Sequence, residues 1–176
     1  ANASETVTIT SIASSRTADL GTFNGFKVTN NSIGTASDST TARSVVLAGV
    51  TTQIGTIAND AKALASALNA SGLGFTASAD ATAKAGQTQS TTDATAGTAD
   101  TFTINGIAVT VTGANNKAQD RINITAAINA VSGSTGVIAT DTGAQVDLAA
   151  ADGRNITVAY AAGNSANVIA DYGVGA

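Results

Sequence analysis

Apolar and polar residues alternate most cleanly over residues 101–111, which read Thr-Phe-Thr-Ile-Asn-Gly-Ile-Ala-Val-Thr-Val. A period of two marks a strand with one buried face. Asn105-Gly106 interrupts it with the residue types that best supply the two positive φ angles of a type I′ turn. A two-residue hairpin follows. Ile104 faces Ile107 and Phe102 faces Val109 on one side, with Thr101, Thr103, Ala108 and Thr110 on the other. A second hairpin is expected over residues 145–158. A two-residue Asp152-Gly153 loop would set Leu148 against Thr157 and mix the faces. A three-residue loop with Gly153 as the left-handed residue of a bulge pairs Leu148 with Ile156 and Val146 with Val158, and this is the predicted register.

Two stretches change to helical spacing. In residues 120–132, Ile124, Ala127, Ile128 and Val131 fall on one stripe and Gly133 follows as a stop, while residues 135–140 read as a strand. Upstream, Ile54, Ile57, Ala58, Ala61, Leu64, Ala65 and Leu68 predict a helix over residues 52–70 that Gly72 ends. A further Asn-Gly turn in residues 22–28 places Phe23 opposite Phe26, and residues 5–12 read as a strand.

The halves align in part. Leu64, Leu68, Asn69 and Ala70 match Ile124, Ile128, Asn129 and Ala130, and Gly74-Phe75-Thr76-Ala77 matches Gly136-Val137-Ile138-Ala139 after a two-residue slip. An internal duplication accounts for this, with chance similarity in an Ala- and Thr-rich chain as the alternative. The two Asn-Gly hairpins need another offset, so the duplication implies a long insertion around residues 30–50. Residues 81–98 carry no large apolar side chain and read as a linker or exposed loop. The expected architecture is α+β: antiparallel β-hairpins packed on short amphipathic helices in two similar small subdomains. Residues 1–85 form one, residues 86–98 a Thr/Ala/Gly-rich linker or loop, and residues 99–176 the other.

Composition narrows the chemistry. The apolar fraction is 43%, but only 3% of residues are aromatic, so the core must be thin and built from Val, Ile, Leu and four Phe. Ser and Thr make up roughly a quarter of the chain, yet only 11% is charged, which favours a folded, solvated β surface over disorder. With no Cys and no His, disulfides, thiolate nucleophiles, zinc-thiolate sites and the commonest general base are excluded. Eight basic residues against twelve acidic ones, net charge -4, give no positive field for nucleic acid. No apolar run is long enough to span a bilayer, so no membrane partner is expected. A start at ANASETV suggests a processed product or an excised fragment, with the fragment reading favoured.

Asp141, Asp147 and Asp152 are the candidates for paired acid-base carboxylates, weighed against turn and outward-strand roles. The turn and strand reading prevails, so no catalytic, cofactor-binding or metal residue is assigned, no cofactor is expected, and the chain is read as no enzyme. Gly106 and Gly153 serve turns, Gly72 and Gly133 cap helices, and no phosphate-cradling glycine segment exists. Sequons stand at Asn2, Asn30, Asn69, Asn123 and Asn155, as chance produces in such a composition.

TFTINGIAVTV, ITAAINA, TGVIAT and VDLAAADGRNITV, in that order over about a third of the chain, resemble the hook IN motif of bacterial flagellins and filament-cap proteins. FNGFKV and ALASALNASGLGFTASA are similar more loosely. The resemblance implies an outer, variable flagellin domain on the extracellular face of the filament, serving as a structural, antigenic part of a motility appendage. Its partners would be neighbouring flagellin subunits, through terminal helical regions absent from this chain, together with host or environmental surfaces. The fragment alone would be a monomer. O-linked sugars on residues 35–41 or 88–98 are a further implication. A filament-cap domain and a carbohydrate-binding adhesin module remain the alternative readings, the latter opposed by the scarcity of aromatic platforms beyond Tyr160 and Tyr172.

Overall fold

Strand β4 (Ala99–Ile104) turns at Asn105-Gly106 into β5 (Ile107–Thr112), and the ladder sets Phe102 against Val109 and Ile104 against Ile107 as expected. Both turn residues take positive φ, 47° and 83°. Phe102 and Ile104 are wholly buried. This computed structural model describes residues 43–176 apart from 48, 59, 75, 164 and 165. The expected strand at 5–12 and hairpin at 22–28 lie outside the described residues.

The fold is α+β, with antiparallel sheets and short helices. Strands β1 (Arg43–Leu47) and β2 (Val50–Gly55) form a hairpin, followed by helix α1 (Ala61–Ala70) and the short strand β3 (Thr82–Lys84). After β4 and β5 come helix α2 (Lys117–Ala130), a single turn α3 (Ser132–Thr135), β6 (Ile138–Asp141), β7 (Val146–Ala150), β8 (Val158–Ala161) and a 3-10 turn (Ile169–Tyr172). One sheet has the order β3-β7-β6 and another β5-β4-β8, with every pairing antiparallel. Helix α2 packs on β5, β6 and the 3-10 turn, and its Ile124 and Ile128 are fully buried. Burial on that scale stabilises by about 1.5–3 kcal/mol per side chain.

Four expectations are corrected. The helix predicted over residues 52–70 is shorter: residues 50–55 are strand, and α1 starts at Ala61, where the Asp60 carboxylate caps the Ala63 amide at 2.5 Å. Positions 54, 57 and 58 fit a helical stripe, but the β-branched run Val50-Thr51-Thr52 and left-handed Gly55 favour a hairpin. Helix α2 begins three residues before residue 120, at an N-cap supplied by Asn116. It ends at Ala130, and Gly133, the expected stop, lies inside the following turn α3, which Gly136 closes with φ of 69°.

The predicted hairpin over 145–158 does not form. β7 pairs with β6 on one side and β3 on the other, while β8 crosses to the other sheet and pairs with β4. The alternation of Val146, Leu148 and Ala150 marks a buried face whichever strand lies alongside, and only tertiary structure selects the partner. Gly153 still takes the left-handed conformation expected of it.

Residues 86–98 are a loop fastened to the rest of the fold. Gly86 passes so close to the β7 backbone that a Cβ there would lie 2.5 Å from the Val146 carbonyl oxygen. Its amide donates to Asp147 at 2.8 Å. Gln89 donates through its amide to Ala144 and through Nε2 to the carbonyls of Lys117 and Asp171, and Ala94 is fully buried. Polar side chains and close backbone approach replace large apolar groups in fastening this stretch.

Candidate functional site

Three turns that are distant in sequence converge on one carbonyl. At the β4–β5 turn, Asn105 donates its Nδ2 to the Thr135 oxygen at 3.1 Å. The Asn105 Oδ1 accepts from the Thr157 amide at 2.8 Å, and the Asn105 amide donates to the Thr157 oxygen, so the turn is also tied to the chain entering β8. Arg154 Nη1 donates to the same Thr135 oxygen at 2.9 Å. The guanidinium lies where a Cβ on Gly136 would stand, 2.2 Å from its central carbon, and this close approach requires glycine beyond its positive φ.

Asp152 holds the other face of that guanidinium, accepting from Arg154 Nε and Nη2, and from Lys62 Nζ at 2.7 Å. These cations hold the Asp152 carboxyl well below its ordinary range, the Arg154 hydrogen bonds most and Lys62 next. Arg154 is raised in return by its bond to Asp152. The Lys62 amide donates to the Gly153 carbonyl, so α1 is fastened to this turn by main chain as well as side chain. A little further along, Asn129 at the end of α2 receives the Ala139 amide on Oδ1 at 2.7 Å and donates Nδ2 to the Ala139 oxygen at 3.0 Å. A side-chain amide thereby takes the place of a neighbouring strand.

A second polar cluster is buried behind β4. Asp100, with no exposed surface, accepts from Tyr172 Oη at 2.7 Å, Asn167 Nδ2 at 2.7 Å and the Gly163 amide at 2.8 Å. The Tyr172 ring meets Phe102 edge-on at 5.4 Å, and Tyr160 lies 5.0 Å from Phe102. Burial, then the Asp100 carboxylate, pushes the Tyr172 and Tyr160 phenols up. Asp120, also fully buried, accepts the amides of Ala114 at 2.7 Å and Ala94 at 3.2 Å. Burial raises its pKa more than those amides lower it. Asp171 accepts from the Val168 amide and from Ser90 Oγ. Each carboxylate gathers segments far apart in sequence. Sequence reading missed these groups because the donors that justify their burial are brought in by tertiary structure.

The three carboxylates weighed for acid-base work are kept apart. Asp141 stands opposite Val146 in the ladder and Asp147 opposite Thr140, which puts them on opposite faces of the sheet. Asp141 binds Arg121 Nε at 2.8 Å. Asp147 accepts from the Gly86 amide and Gln145 Nε2, and these bonds lower its pKa. Asp152 belongs to the turn junction. Paired acid-base chemistry needs two carboxyls facing one substrate, and this geometry supplies none. No group of three or more acidic side chains among the described residues is placed to hold a metal ion. No helix there is long and apolar enough to cross a membrane.

The sequon asparagines Asn69 and Asn123 both bond to backbone. Asn69 accepts the Ala77 amide and donates to the Ala77 oxygen, and Asn123 donates to the Thr112 oxygen. Thr88, Thr91, Thr92 and Thr95 are exposed. Asn2, Asn30 and residues 35–41 lie outside the described residues.

Compared with known proteins, the chain matches no protein-family model, and no curated protein matches it in sequence.

Proposed function

We propose that the chain is a structural, surface-exposed outer domain of a bacterial flagellin, an extracellular part of the flagellar filament and not an enzyme. One observation carries the reading. The short motifs behind the resemblance are Ile104-Asn105-Gly106, Ala126-Ala127-Ile128-Asn129 and Ala151-Asp152-Gly153, and each is a junction of one body. The first donates to the Thr135 carbonyl, the third holds through Asp152 the Arg154 guanidinium that donates to the same carbonyl, and the second fixes the strand that leaves it. Motifs that fasten the fold suit a protein whose task is to hold a shape. The polar groups described above are directed at the chain's own backbone and side chains, which fits that task.

In this reading, neighbouring subunits are contacted through regions beyond this chain, and the outward Thr-rich faces meet the medium, including host or environmental surfaces. Immunogold electron microscopy of the source cells, with antibodies raised against residues 43–176, tests it. Gold along the whole filament is expected. Gold confined to the filament tip would instead identify a cap protein, and gold on the cell body with bare filaments would favour the adhesin module. Either result overturns the proposal.

A further inference from the structure

We infer that residues 43–84 and 100–150 contain two copies of one hairpin–helix unit, each closed by an asparagine that clamps the chain leaving its helix, ahead of β3 in the first copy and within β6 in the second. The geometry matches at five successive points. Hairpin β1–β2 ends on the pair Leu47 and Val50 with Gly49 at φ 80°, and hairpin β4–β5 ends on Ile104 and Ile107 with Gly106 at φ 83°. Each hairpin leads to a helix whose N-cap side chain, Asp60 or Asn116, accepts the amide three residues on. Each helix ends beside an asparagine, Asn69 or Asn129. Each is followed by a left-handed glycine, Gly74 at φ 79° and Gly136 at 69°.

The fifth point is the clamp. Asn69 Oδ1 accepts the Ala77 amide at 2.7 Å while Nδ2 donates to the Ala77 oxygen at 2.9 Å. Asn129 does the same to Ala139, at 2.7 Å and 3.0 Å. In both copies the clamped residue is the third after the left-handed glycine. A side chain that satisfies both backbone groups of one distant residue is a specific arrangement, and its recurrence at the aligned position is hard to reach by composition alone.

Spacing differences have physical reasons. α1 has 10 residues and α2 has 14. The extra four amount to about one helical turn, so the asparagine keeps its face. The connection after α2 is two residues longer and contains the single turn α3. No long insertion is needed. The hairpin preceding α1 is β1–β2, not the Asn-Gly turn of residues 22–28, and the insertion expected around residues 30–50 is therefore unnecessary to the duplication. The copies meet at β7, which takes β3 from one and β6 from the other.

Amide hydrogen exchange by NMR on the full chain tests the inference. The Ala77 and Ala139 amides are expected to exchange at least tenfold more slowly than unprotected amides. Asn69→Ala should release Ala77 by tenfold or more while leaving Ala139 within twofold. Should Asn129→Ala fail to fold, Asn129→Asp keeps the acceptor, loses the donor and should speed exchange at Ala139 severalfold. A transplant replacing residues 69–77 with a second 129–139 segment should fold and show a protected amide at its own clamped alanine. An Ala77 amide unprotected in the unaltered protein, an exchange rate indifferent to Asn69→Ala, or a transplant that unfolds the chain would each overturn the inference.

Discussion

Helices α1 and α2 occupy the same place in two matching units, yet only α2 reaches the core. α2 buries Asp120, Arg121, Ile124 and Ile128, whereas no residue of α1 is fully buried. By sequence α1 is the more strongly amphipathic of the two. Amphipathicity therefore does not decide which helix is held firmly. What decides it is the opposing surface: α2 lies against β5, β6 and the 3-10 turn, while α1 touches β2 and is fastened at its start to the Asp152-Gly153 turn. A 10-residue helix is marginal alone in water, so α1 persists through that attachment.

The contrast is broken or sharpened first at the aligned core positions. Ile128→Ala should cost about 2–5 kcal/mol in urea unfolding, because a fully buried side chain leaves a cavity. Leu68→Ala, at the matching place on half-buried α1, should cost about 1 kcal/mol. Equal losses would mean that α1 is as much part of the core as α2.

Next come the matched glycines. Gly136→Ala should cost about 2–3 kcal/mol, since the positive φ is strained and Arg154 must swing off the Thr135 carbonyl. Gly74→Ala meets nothing within 4 Å and should cost about 1 kcal/mol, for backbone strain alone. Thermal melts of the two variants measure the gap, and a Gly74→Ala loss as large as that of Gly136→Ala would show that the guanidinium is not the cause.

The smallest effect lies at the joint between units. Asp152 has a folded pKa below the ordinary 3.8, so its contribution is present above that value and is lost as pH falls below it. The Asp152 side chain is 38% exposed, which keeps the effect small and sensitive to salt. Asp152→Asn should flatten the fall in melting temperature between about pH 4 and pH 2 at low ionic strength. Lys62→Ala should flatten it less, as the weaker of the two cation partners. Unchanged acid slopes in both variants would remove this ion cluster from the account of how α1 is attached. Asp120 runs the other way: its raised pKa makes its ionisation oppose folding as pH climbs from 3.8, a trend that both variants retain.

Local structure was readable in the sequence, and partnership was not. The hairpin at Asn105-Gly106 was legible because turn chemistry and alternation specify the same register within 11 residues. Asn129 aligned with Asn69 by position, but its clamp on Ala139 depends on a chain path that no pattern displays. β7 showed its buried face without showing that β3 would cover one edge. The strand at 50–55 was hidden by apolar spacing compatible with either period, although left-handed Gly55 and the Asp60 cap were available signals. Of the junction, Asp152 and Gly153 were recognisable as turn residues. Arg154, Thr135 and Lys62 were not, since their roles arise from segments 19 to 90 residues away.

β7 is enclosed on both sides, and the strands beside it are only three and four residues long. A foreign strand arriving at either margin of that sheet would find a ladder too brief to hold it. That sheet could therefore be crowded by other chains without zippering into them.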